Sequence, residues 1–205
     1  MVPEPTVQSA KEGGMDGSLA NLYNKKVGFE YYAQGNMPNR ILQGFVDDAA
    51  KHKHETSALV IANALDGDGI YRIAAILRNN GCVSMGVVFH ERPDDRARSV
   101  LGKMLAQHVD KHRRPILELY RAPGRITHNG IMIDGMILIE CLRPDKSDLA
   151  VFKIMPCASA EAKAQFTSAF RSLATERAAD IIPADCAKSA PTCMTEEKAV
   201  GRCRS

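Results

Sequence analysis

A chain of 205 residues, 45% of them hydrophobic, is long enough for one cored domain with polar tails. Its net charge of +3 admits a phosphate-bearing partner without arguing for one. The longest apolar runs are far too short to cross a bilayer as a helix, which excludes helical membrane spans.

Six cysteines (Cys82, Cys141, Cys157, Cys186, Cys193 and Cys203) include no CxxC pair, which argues against a zinc ribbon, and the sequence predicts no metal site. The N-terminus lacks the charged, apolar, small-residue order of a signal peptide. Together these predict a cytoplasmic protein with free thiols.

In chain order, residues 1–26 are rich in Gly, Ser, Pro and charge and predict a loosely attached lead-in. One domain is expected over 27–180, followed by a flexible tail over 181–205 that ends in Gly201, Arg202, Cys203, Arg204 and Ser205. Val27 to Tyr32 suits a strand by its β-formers. Pro38 opens a helix with Ile41, Leu42, Phe45, Val46, Ala49 and Ala50 on one face. Ser57 to Leu65 reads as a buried strand, followed by a turn at Asp66 to Gly69 in which Asp68 suits a helix cap. The helix it opens carries Ile70, Ile73, Ile76 and Leu77 and stops near Asn79, Asn80 and Gly81. Cys82 to Phe89 is a second apolar strand. Pro93 begins a helix that runs to the basic stretch Lys111 to Arg114, and Pro115 to Tyr120 is a third strand. Gly130 to Glu140 forms a hairpin turning at Asp134 and Gly135. A strand over Leu149 to Met155 and a helix with Phe166, Ala169, Phe170 and Leu173 complete the order. This pattern predicts an α/β fold with a mixed β-sheet and helices on both faces.

Several constellations reduce to ordinary structure. Asp66 and Asp68 lack the further carboxylates and closing glutamate of a calcium loop, since Ala75 stands near that place. Cys82 and His90 lie at opposite ends of one strand, about 25 Å apart, too far to share a proton. Lys51 to His54 and Lys111 to Arg114 read as solvated helix ends whose cations suit the helix dipole.

The stretch from Thr127 to Asp148 is different. His128, Asn129, Gly130, Ile131, Met132, Ile133, Asp134 and Gly135 follow the run of the "HxKxxxxDG" motif, one residue short and with Gly130 in the lysine column. This resembles the phospholipase D superfamily, and in particular its short, one-motif bacterial endonucleases. The likeness spans roughly Val27 to Glu176, with matching pieces at Asn39 to Ala50, Ser57 to Ala64, Gly69 to Gly81 and Cys82 to Arg92. After the motif it continues through Ser147, Asp148 and Leu149 into the strand before Pro156.

The resemblance implies a phospholipase D/nuclease-like fold. It also implies His128 as the nucleophile on phosphorus, Asp134 as the motif aspartate, and Asp148 in the place of the orienting glutamate. Arg125, Arg143 and Lys146 are the cations that could reach the phosphate in the missing lysine's stead. The enzyme type implies no cofactor and a homodimer. Losing the preorganised ammonium costs on the order of 10²–10³ in rate. The expectation is therefore a degenerate relative that binds nucleic acid, another phosphodiester or a protein partner, with an accessory or inhibitory part in plasmid transfer. The alternative is an active, metal-independent phosphodiesterase using His128.

Overall fold

Strands buried on both faces read as unbroken apolar runs, and two such runs make the middle of the sheet. In the structure, a computed structural model that describes residues 17–26, 30–34, 37–52, 54–78, 81–141 and 151–178, these are β2 (Thr56–Ala62) and β3 (Cys82–Phe89). They pair in parallel with each other, and β3 pairs in parallel with β4 (Leu117–Arg121). On the other side of β2 an antiparallel meander runs through β5 (His128–Ile133), β6 (Met136–Cys141) and β7 (Val151–Met155). The short strands β1 (Tyr31–Gln34) and β8 (Glu176–Arg177) close the edges, giving the order β1-β7-β6-β5-β2-β3-β4-β8. The described residues are thus α/β, with a mixed, open sheet of eight strands.

Alternation along each strand sorts the side chains into two cores. Val60, Val87, Ile131, Ile133 and Leu138 face α2 (Met37–Lys51), α3 (Gly67–Leu77) and α4 (Asp95–Gln107). Ile61, Val88, Ile137 and Ile139 face α1 (Gly17–Asn24) and α5 (Ala160–Leu173). Two glycines let α5 settle on the sheet. A Cβ at Gly130 would stand 2.8 Å from Phe166, and one at Gly86 would stand 2.7 Å from Phe170. These phenylalanines lie four residues apart on one helix face, so each glycine forms a socket for one ring.

Most elements lie where the periodicity puts them, with ends moved by a few residues. The lead-in differs. Gly17–Asn24 form α1, and its Leu19 and Leu22 are buried against α5 and the sheet. Local composition hides this helix because its stability comes from that packing. The cap of α3 is Asp66, not Asp68: its carboxylate accepts from Gly69 N at 2.8 Å. Asp66→Ala should therefore lower the stability to urea by about 1 kcal/mol, the usual cost of losing an N-cap. An unchanged midpoint would contradict that assignment.

The basic run Lys111 to Arg114 is not a helix end. α4 stops at Gln107, and the run forms a turn closed on Asp110, which accepts from His112 N and Arg114 N at 2.8 Å each. Those same bonds hold the Asp110 carboxyl below its ordinary pKa. The helix-dipole argument therefore fails for this run. It holds for the other, where Lys51 lies in the last turn of α2 and His52 Nδ1 lies 2.9 Å from Asp48 O. β1 begins at Tyr31, β2 ends at Ala62 and β4 begins at Leu117. The expected strand residues 27–29 and 149–150, and the tail from 179, lie outside the described residues. Among the described residues no helix is long and apolar enough to cross a membrane.

Candidate functional site

In open α/β sheets, ligands settle beyond the carboxyl ends of the parallel strands, where the order of strands reverses. Here the chain lays down β2, β3 and β4 in one direction and then returns to place β5 on the far side of β2. The junction of β2 and β5 is that reversal, and His128 is the first residue of β5.

Asn63 holds this junction together. It follows β2 directly and is 8% exposed. Its backbone N donates to Asn129 Oδ1 at 2.8 Å, and its side chain donates to Glu91 Oε1 at 2.6 Å and accepts from Ile126 N at 3.1 Å. Its carbonyl accepts from His90 N and Glu91 N. One side chain and one peptide therefore fix the end of β3, the β4–β5 loop and the start of β5. Asn129 Nδ2 passes the network on to Glu140 Oε2 at 3.1 Å. The Arg72 guanidinium lies over the Phe152 ring at 5.0 Å and donates to Asn39 Oδ1 at 2.7 Å. Arg72, Asn129, Glu140 and Phe152 line a small cleft of about 140 Å³ together with Asp66 and Asp68. The sequence reading missed Asn63; a lone amide ending an apolar strand was the available signal.

On the opposite face of β5, His128 is half-buried, with Nδ1 2.9 Å from Thr127 Oγ1. Its ring centroid lies 5.6 Å from that of Tyr23 on α1. Gly130, in the motif's lysine column, points the same way into Phe166 and Leu19. A lysine is therefore excluded there by packing. One rung of the sheet joins Gly130 to Ile139 and Ile139 to Lys153. Lys153 is wholly buried, and its Nζ donates to the carbonyls of Leu22 (3.1 Å), Tyr23 (3.2 Å) and Lys25 and pairs with Glu30 Oε2 at 2.8 Å.

The other expected site residues do not all converge. Asp134 sits in the β5–β6 turn with φ 48°, and its carboxylate accepts from Ser57 N at 3.0 Å. That is the far end of β5 from His128, about 20 Å away at the usual rise per residue. There it pins the hairpin to β2. Arg125 is exposed in the β4–β5 loop, three residues before His128 and at the same edge as it and the exposed Arg92. Arg143, Lys146 and Asp148 lie outside the described residues. Cys82 is buried at the start of β3, and burial raises its thiol pKa, as suits a core residue and not a nucleophile. Among the described residues no cluster of His, Cys, Asp and Glu could hold a metal ion.

No family model matches the chain, and no curated protein matches it. Among solved structures it is similar to TrmBL2, an archaeal chromatin protein described with a novel mode of DNA binding. The identity is 10%, the TM-score 0.44, and the match covers 75% of this chain and 55% of that one. A polyphosphate kinase from Porphyromonas gingivalis matches at 10% identity and TM-score 0.42, over 74% of this chain and 25% of the kinase. The chain thus spans less than two thirds of either protein, and likeness of this degree decides neither ancestry nor chemistry.

Proposed function

We propose that this chain is a phospholipase D-like protein with a degenerate motif, which binds nucleic acid through its phosphodiester backbone at the His128 edge without cleaving it. The observation that carries the reading is Phe166 filling the space a side chain at position 130 would need. A phosphoryl-transfer site has to neutralise charge that grows in the transition state, and here the column that would supply the ammonium is closed by an aromatic ring. Binding makes a lighter demand, since cations at the edge suffice to hold phosphates.

In this reading His128, Arg125 and Arg92 contact the backbone. Arg143 and Lys146 add cations for the phosphates, and Asp148 takes the part of the orienting carboxylate. Pairing of two copies across this edge, contact with a protein partner, and an accessory or inhibitory part in plasmid transfer belong to the same proposal.

Fluorescence anisotropy with a labelled single-stranded oligonucleotide tests it, alongside hydrolysis of bis(p-nitrophenyl) phosphate in EDTA. We expect binding that weakens with salt and no turnover. Arg125→Ala should lower the salt slope by about one counterion. Hydrolysis that disappears in His128→Ala would replace this reading with the active phosphodiesterase. Absence of binding at low salt would remove it.

A further inference from the structure

The end of α1 surrounds a buried ammonium with oxygen. A lysine side chain with no exposed surface needs oxygen around its ammonium, and Lys153 finds four such partners: three peptide carbonyls of Leu22, Tyr23 and Lys25, and the Glu30 carboxylate. The carbonyls belong to the last turn of α1 and the residue just after it, where helix carbonyls lack intrahelical partners and carry partial negative charge. The same turn touches the imidazole, because the Tyr23 ring packs on His128 while the Tyr23 carbonyl binds Lys153. One residue therefore lies between an imidazole and an ammonium that project from β5 and β7 on the same face of the sheet. Two strand spacings, about 10 Å, separate β5 from β7. Lys153 lies on the rung of Gly130, two residues along β5 from His128, so the two Cα atoms stand about 12 Å apart, a span that both side chains can reach across to a tetrahedral oxyanion.

We infer that His128 and Lys153 form a cryptic phosphate site whose ligand is a phosphodiester of nucleic acid, and that the carbonyls of α1 stand in for its oxygens until the ligand displaces them. This rests on the nucleic-acid reading above and adds Lys153 and a competing helix to it. Leu19, Leu22 and the bonds to Lys153 hold the described helix, Gly17–Asn24, in place, while the exposed pair Lys25–Glu161, at 2.7 Å, adds little in water, so a ligand that takes over Lys153 removes a main attachment of the helix.

Two measurements on the full chain decide the matter, with a fluorescein-labelled thymidine oligonucleotide as the probe. The first is amide hydrogen exchange of Leu19 to Lys25, together with acetylation of Lys153 by an amine-reactive ester read by mass spectrometry. In the wild-type protein the oligonucleotide should speed exchange across α1 at least tenfold. The second uses Leu22→Ala, which loosens the helix. Lys153 acetylation should rise at least tenfold in the variant and be suppressed by the oligonucleotide. Affinity should also rise about tenfold, and the double variant Leu22→Ala/His128→Ala should lose that gain.

Wild-type binding with unchanged or slower exchange in α1 overturns this inference and leaves the basic-edge reading standing. Binding by Leu22→Ala alone upholds this inference and refutes the reading for the resting chain. No binding by either protein removes both.

Discussion

Gly130→Lys should destabilise the protein by about 3 kcal/mol or more and should not create phosphodiesterase activity. The substitution returns a lysine to the motif's column, yet packing forbids it to act there. The structure supplies the reason. The first side-chain carbon would fall 2.8 Å and 3.1 Å from Phe166 ring atoms and 3.5 Å from Leu19. Both neighbours are fully buried, so neither can swing into water. Overpacking of a tight core costs about 1–3 kcal/mol by itself, and an ammonium forced into apolar surroundings adds to that. Removing the ring to make room is no remedy, because Phe→Ala in a core costs about 3–5 kcal/mol. Urea denaturation measures the loss. A Gly130→Lys protein with the wild-type midpoint, or with turnover, would show that α5 does not close this column.

The contrast between position 130 and the rest of the sheet shows what can be read from a sequence. β2, β3 and the β5–β6 hairpin were legible because their information is local: unbroken apolar runs, and Asp134 with Gly135 at the turn. Ends were less legible: Asp68 suits a cap by its place in the turn, and the bond from Gly69 N gives that part to Asp66 instead. The basic run after α4 misled because cations suit both a helix end and a turn, and Asp110 selects the turn.

The candidate site was legible at His128 and hardly elsewhere. Asp134 shares a motif with His128 but lies apart from it, because a strand carries residues six apart to opposite ends of the sheet. Asn63 gave little signal: its partners Glu91, Ile126 and Asn129 lie 28 to 66 residues away in the chain. Lys153 is the extreme case. Inside a short apolar strand it reads as one polar residue among five, and its carbonyl partners come from 128 to 131 residues upstream, in a segment whose composition suggested a loosely attached lead-in.

Lys153→Met should cost about 3–5 kcal/mol, the range for breaking a buried ion pair by deleting one partner. Methionine matches much of the lysine stem, so little packing is lost, and the cost arises from what remains. The Glu30 carboxylate, with only 15% of its side chain exposed, loses its cation, and the carbonyls of Leu22, Tyr23 and Lys25 lose a donor. Lys25→Ala provides the comparison, because its bridge to Glu161 is as short, at 2.7 Å, but its side chains are 51% and 67% exposed. Water screens that pair, and about 0–1 kcal/mol is expected. Adding Glu30→Gln to Lys153→Met should recover part of the loss by removing the orphaned charge. If Lys153→Met and Lys25→Ala shift the urea midpoint equally, the ammonium of Lys153 is not what holds α1 to the sheet.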